Sequence, residues 1–115
     1  MQYLLLIYGN ETDARTASKE DAEQMYAAYG AYTQAMKAAG VMVGADRLQP
    51  STTASTVRVR KDKTEVLDGP YAETKEQLAG YYLVEVADLD AALLWAARCP
   101  GALHGAIEVR PVWTM

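Results

Sequence analysis

Tyr3-Leu4-Leu5-Leu6-Ile7-Tyr8, closed by Gly9-Asn10, is the stretch from which the rest of the chain is read. A short continuous apolar run ended by a turn pair fits a strand buried on both faces. Helix signals follow. Ser18 stands three residues before Asp21, approximating a capping box, and Glu20 and Asp21 suit the first turn. Lys37 falls in the last turn and Gly40 at the C′ position, so the helix runs to about Ala39. Within it Met25, Tyr29, Tyr32 and Met36 recur at intervals of four, three and four, which makes one apolar stripe.

Val41-Met42-Val43 opens a second strand toward Leu48, stopped near Pro50. A β-hairpin comes next. In Thr56 to Arg60 the valines face one way and the arginines the other. Lys61-Asp62-Lys63 turns the chain and Thr64 to Leu67 returns. After a turn-rich segment from Asp68 to Gly80, Tyr81 to Val86 reads as another buried strand. Asp88 caps a helix from Leu89 to Arg98 that Pro100-Gly101 ends. Ala106 to Val112 is the last strand, with Ile107 and Val109 on one face and Glu108 and Arg110 on the other.

The order is therefore strand–helix–strand, an inserted hairpin, then strand–helix–strand, an α+β pattern. Two such units interleave into a ferredoxin-like (split βαβ) four-stranded antiparallel sheet with both helices on one face. The other face must find cover, and a second copy is the simplest cover, so a homodimer packed sheet to sheet is expected. One domain spans residues 1–115, since this length supports a single core.

Composition narrows the function classes. Half the residues are hydrophobic and 23% are charged, as in a folded globule. The net charge of −4 supplies no positive field for phosphates, which argues against a nucleic-acid partner. Cys99 is the only cysteine, so no disulfide forms within the chain and a reducing, cytoplasmic setting is expected. The first apolar run is too short to span a bilayer, and later ones are cut by charges, so no membrane partner is expected. Eight tyrosines and no phenylalanine put many hydroxyls in need of partners, in a polar cavity, at a subunit interface or at the surface.

The segment Asp68-Gly69-Pro70-Tyr71-Ala72-Glu73-Thr74-Lys75-Glu76 resembles the signature of the DGPF family, a branch of the YCII-related set, with Tyr71 in place of phenylalanine. The closing Ile107-Glu108-Val109-Arg110-Pro111-Val112 is similar to that family's end. The resemblance implies a bacterial protein forming a dimeric α+β barrel, without a settled activity. It also implies a regulatory partner linked to extracytoplasmic-function sigma factors, beside which such members are often encoded. Some relatives are proposed to be enzymes through a histidine on the first helix and an aspartate just after the second. Aligned from Gly40 and Pro100, those positions here hold Tyr29 and Cys99, so no histidine–aspartate relay is expected.

Among single residues, Asp68 in its tight turn either accepts hydrogen bonds from its own loop or stands as a carboxylate at a cavity mouth, near Tyr71, Glu73 and Lys75. Thr74 and Gln77 stand three apart, as in a capping box for one short helical turn. His104, the only histidine, is a general-base candidate by its ordinary pKa and an idle loop residue otherwise. Cys99, at the negative end of the second helix, reads as inert. Tyr29 and Tyr32, with Tyr26 alongside, either line a pocket or fill the core. Arg58 and Arg60 form a solvated hairpin face or an anion site. Nucleotide loops, nucleophile elbows and metal-ligand spacings do not occur, so neither cofactor nor metal is expected. Three functions stay open: a dimeric domain binding a small molecule or a protein partner; a cofactor-independent enzyme of isomerase or oxygenase type, with Asp68 and His104 as acid and base and Tyr29, Tyr32, Tyr71 and Lys75 holding the substrate; and a structural interaction module.

Overall fold

The first apolar run becomes β1 (Gln2–Gly9), one of the two central strands of a four-stranded antiparallel sheet. A computed structural model describes residues 1–114. After β1 come α1 (Glu11–Thr16), α2 (Lys19–Ala38) and β2 (Met42–Arg47). A 3-10 turn over Ser51–Thr53 leads into a hairpin of β3 (Ser55–Arg60) and β4 (Lys63–Asp68). The second half is β5 (Gln77–Glu85), α3 (Leu89–Arg98), a 3-10 turn over Pro100–Leu103, and β6 (Ala106–Pro111). The main sheet has the order β2-β5-β1-β6, the interleaved split-βαβ plan, while β3 and β4 pair only with each other.

Local chemistry explains the boundaries. Ser18 caps α2 by accepting from the Asp21 N–H at 3.0 Å, and Asp88 caps α3 by accepting from the Ala91 N–H at 2.9 Å. Gly40 takes the left-handed conformation, φ +72°, that closes α2. Period-2 geometry sends Tyr3, Leu5 and Ile7 of β1 to one side, where Tyr82 and Val84 of β5 join them. There they meet Tyr32 and Met36 of α2 and Ala92 and Ala96 of α3, so both long helices cover the same face. Leu5, Met36, Val84 and Cys99 are the largest fully buried side chains, the first three each contributing about 1.5–3 kcal/mol of transfer free energy.

Three local expectations need correction. Asn10, followed three residues later by Asp13, caps the short helix α1, accepting from the Asp13 N–H at 3.0 Å in a stretch read as a turn. Thr74 and Gln77 start no helical turn. The Thr74 hydroxyl donates to the Glu76 carbonyl and the Gln77 amide to the Thr74 carbonyl, and Gln77 itself opens β5. β5 therefore begins four residues before Tyr81. Tyr26 is 79% exposed, on the outer side of α2 and away from the stripe.

Candidate functional site

The apolar stripe of α2 brings its tyrosines to the seam between helices and sheet. Tyr32 is buried, its ring edge-on to Tyr82 with centroids 5.2 Å apart. Its hydroxyl donates to the Trp95 carbonyl of α3 at 2.7 Å. The Tyr82 hydroxyl and Thr33 Oγ1 lie 2.7 Å apart. Tyr29, one turn earlier on α2, places its hydroxyl 3.7 Å from the Cys99 thiol. It also lies over Gly101, where a Cβ would come within 2.5 Å of the tyrosine oxygen. Tyr29 and Cys99, the two positions the resemblance singled out, are thus in contact as a phenol and a thiol.

Neither group suits proton transfer near neutral pH. Burial, then the neighbouring Cys99, pushes the Tyr29 hydroxyl far above its ordinary range. Tyr32 is raised by burial first and then by Cys99. Burial likewise raises Tyr82 and the Cys99 thiol. All four are neutral when folded, and raised values mean that the unfolded chain loses these protons first. Stability is then complete below the unfolded-chain values and is lost as pH rises from about 9 toward the folded ones. Thermal melts should be flat between pH 6 and 8 and fall above pH 9, less steeply for Tyr32→Phe. A flat profile to pH 11 would refute this account of the cluster.

The other candidates lie elsewhere. Asp68 ends β4 and is exposed; the turn beside it is held by backbone, with the Gly69 N–H donating to the Ala54 carbonyl at 2.6 Å and Gly69 at φ +117°. The Thr56 hydroxyl donates to the Gly69 carbonyl at 2.9 Å. Tyr71 is 74% exposed and lies beneath the Arg58 guanidinium, 4.8 Å from ring centroid to Cζ. Lys75 is exposed, and its carbonyl accepts from the Asn10 amide at 3.3 Å. His104 is exposed on the loop before β6. Among the described residues, no hydrogen bond or ion pair joins the side chains of Asp68, Tyr71, Lys75 or His104 to the tyrosine cluster.

A fastening that sequence reasoning missed holds the signature loop. Glu11 accepts from the Ser51 N–H at 2.6 Å and the Ser51 hydroxyl at 2.7 Å, and its own N–H donates to Gln77 Oε1 at 3.0 Å. The partners are 40 and 66 residues away, so only the N-cap signal at Asn10 was available locally.

The sheet face away from the helices carries Leu4, Leu6 and Tyr8 of β1 beside Tyr81 and Leu83 of β5. All five are half-buried, and both long helices pack on the opposite face of the sheet. Polar pairs flank this strip. The Tyr81 hydroxyl donates to Asp46 Oδ2 at 2.6 Å, and that bond, with the carboxylate charge, raises its pKa. On the opposite edge Arg110 pairs with Glu108. Outside the sheet, a shallow groove of about 410 Å³ follows α3 along Ala91, Leu94, Trp95, Ala97 and Arg98. No helix is long and apolar enough to cross a membrane among the described residues.

Comparison with known proteins fits this architecture. An uncharacterised protein of Rhizobium meliloti (strain 1021) is 40% identical over 114 residues, covering 97% of this chain and 92% of that protein. Among solved structures, 5-chloro-2-hydroxyhydroquinone dehydrochlorinase (TftG) from Burkholderia phenoliruptrix AC1100, in complex with 2,5-dihydroxybenzoquinone, superposes with a TM-score of 0.58. The match covers 99% of this chain and 94% of that one at 15% identity, so it speaks for the fold. The family model for the YCII-related domain matches residues 1–115, and the chain belongs to the YCII-related family.

Proposed function

We propose that this chain works as a homodimer, closed sheet to sheet, which binds a small polar aromatic molecule at the margin of the joined faces. The observation that carries this reading is the uncovered strip of Leu4, Leu6, Tyr81 and Leu83 with the Asp46–Tyr81 pair at its border. An apolar floor with few convergent polar groups is what a small-ligand site requires. The tyrosine cluster between helices and sheet supports the reading indirectly, because Tyr32 and Tyr82 bond inside the protomer and Tyr29 rests against Cys99. The fold's use in TftG, solved with a dihydroxylated quinone, supports the same ligand class.

Thermal melts against a panel of hydroxylated benzenes, quinones and benzoates test it. A ligand at a hundred times its dissociation constant adds about 2.7 kcal/mol, and Asp46→Asn should abolish the shift while leaving the protein folded. A panel without any shift would overturn the small-molecule reading and leave a protein partner, of the sigma-factor-linked kind the resemblance implies. The catalytic alternative rests on Asp68 and His104, which are exposed and therefore free to meet a second copy. Turnover of a ligand from the panel, lost in both Asp68→Asn and His104→Gln, is its requirement.

A further inference from the structure

The hairpin of β3 and β4 stands apart from the body. Its two strands pack substantially only against each other, and β4 is exposed along its whole length. The molecule is correspondingly drawn out, 48 × 44 × 18 Å, with a radius of gyration of 16.1 Å where a chain of this length usually has about 13 Å. An isolated two-stranded hairpin is marginally stable at best in water. This one nevertheless keeps six paired positions, from Ser55 opposite Asp68 to Arg60 opposite Lys63. It turns at Lys61 and Asp62, both at positive φ, as in the tight hairpin turns that match strand twist.

Its faces are chemically distinct. Val57 lies opposite Val66 and Val59 opposite Thr64, so one face is β-branched and apolar. Val57, Val59 and Val66 are 59%, 67% and 61% exposed. The other face holds Arg58, Arg60 and Lys63 with Glu65, and Thr56 with Leu67 toward the base of the hairpin. Charge separates arm from body as well. The hairpin carries four of the chain's eleven cationic side chains and three of its fifteen carboxylates, leaving seven cations against twelve carboxylates elsewhere.

We infer that the hairpin is an arm that grips a second copy of this chain, laying Val57, Val59 and Val66 on that copy while the tip cations Arg60, Lys61 and Lys63 reach its acidic surface. The inference rests on the dimer reading above and deepens it. Area argues for the same occupant. A face of four strands, about six residues long, offers on the order of 400 Å² of projected area, about half of the roughly 800 Å² per partner in a stable interface. The arm leaves the sheet at β2, an edge strand, where it can extend a face-to-face contact past the rim. An acidic body attracts a basic tip, and a second copy supplies both that body and a reciprocal arm.

Sedimentation equilibrium over a dilution series tests the arm with the double variant Val57→Thr/Val66→Thr. Threonine keeps the β-branched shape, so the hairpin can still form while its apolar face is lost. The expected result is a dimer dissociation constant raised at least tenfold, with the far-ultraviolet spectrum unchanged. In the wild-type dimer the arm amides should be protected from hydrogen exchange, and they should lose protection on dilution. A dimer whose dissociation constant the double variant leaves unchanged overturns the arm and spares the sheet-to-sheet dimer. A wild-type protein that sediments as a monomer at 100 µM overturns both.

Discussion

If the sheets join as proposed, Leu6→Asp should yield a folded monomer. Leu6 lies on β1, between Tyr81 of β5 and Glu108 of β6, on the face that no helix covers. In the protomer the side chain is half-buried among neighbours on an open surface, so a carboxylate there keeps much of its water. Joined to a second sheet, the same carboxylate would be stripped of water, and Arg110, the cation on that face, is already paired with Glu108. Such burial costs several kcal/mol, and even about 2.7 kcal/mol is a hundredfold in the dissociation constant. The melting temperature of the dilute protein should stay within a few degrees of the wild-type monomer's. Leu5→Asp, one residue earlier, is the contrast: Leu5 is 1% exposed in the core, and that variant should not fold. A Leu6→Asp protein that remains dimeric at wild-type concentrations would end the sheet-to-sheet proposal.

Gly105→Ala should be the most damaging single-methyl change in the chain. A Cβ at Gly105 would lie 2.0 Å from the Tyr8 carbonyl oxygen and 3.1 Å from the Gly9 Cα. Both atoms are main chain, and Tyr8 is fixed by its pairing with Ala106, so neither side can yield without breaking the start of β6. Overpacking of this severity costs about 3 kcal/mol, which for a domain of this size lowers the melting temperature by on the order of 10–20 °C. Gly9→Ala is the matched control, because nothing lies within 4 Å of a Cβ there. Comparable melting temperatures for the two alanine variants would show that the β1–β6 junction is looser than this packing requires.

Much of the fold was legible because its signals are local. The Ser18 and Asp88 caps, the left-handed Gly40, the α2 stripe and the hairpin alternation each depend on residues within about four positions of one another. The limits of α3 follow from Asp88 and Pro100 in the same way. Misreadings fell where local signals were weak or contested. Asn10 caps a helix of six residues by accepting from the Asp13 N–H, and that helix is too short to show a stripe. Gln77 to Gly80 follow a run rich in turn residues, and β5 begins there because Leu78 and Gln77 pair with Tyr8 and Gly9.

The sequence by itself determined the order of the strands and of the two long helices, the apolar stripe of α2, and membership of the YCII-related family, since periodicity, capping and motif are all written along the chain. Only the tertiary structure decided which groups meet. Tyr29 touches Cys99 across 70 residues, Tyr81 reaches Asp46 across 35, and Tyr32 finds the Trp95 carbonyl across 63. That the hairpin stays out of the four-stranded sheet was legible, but the exposure of its valines was not, because alternating valines look the same whether they face their own core or open solvent. The reason is physical: periodicity tells a side chain which face to take, but strand register and helix docking choose its neighbour.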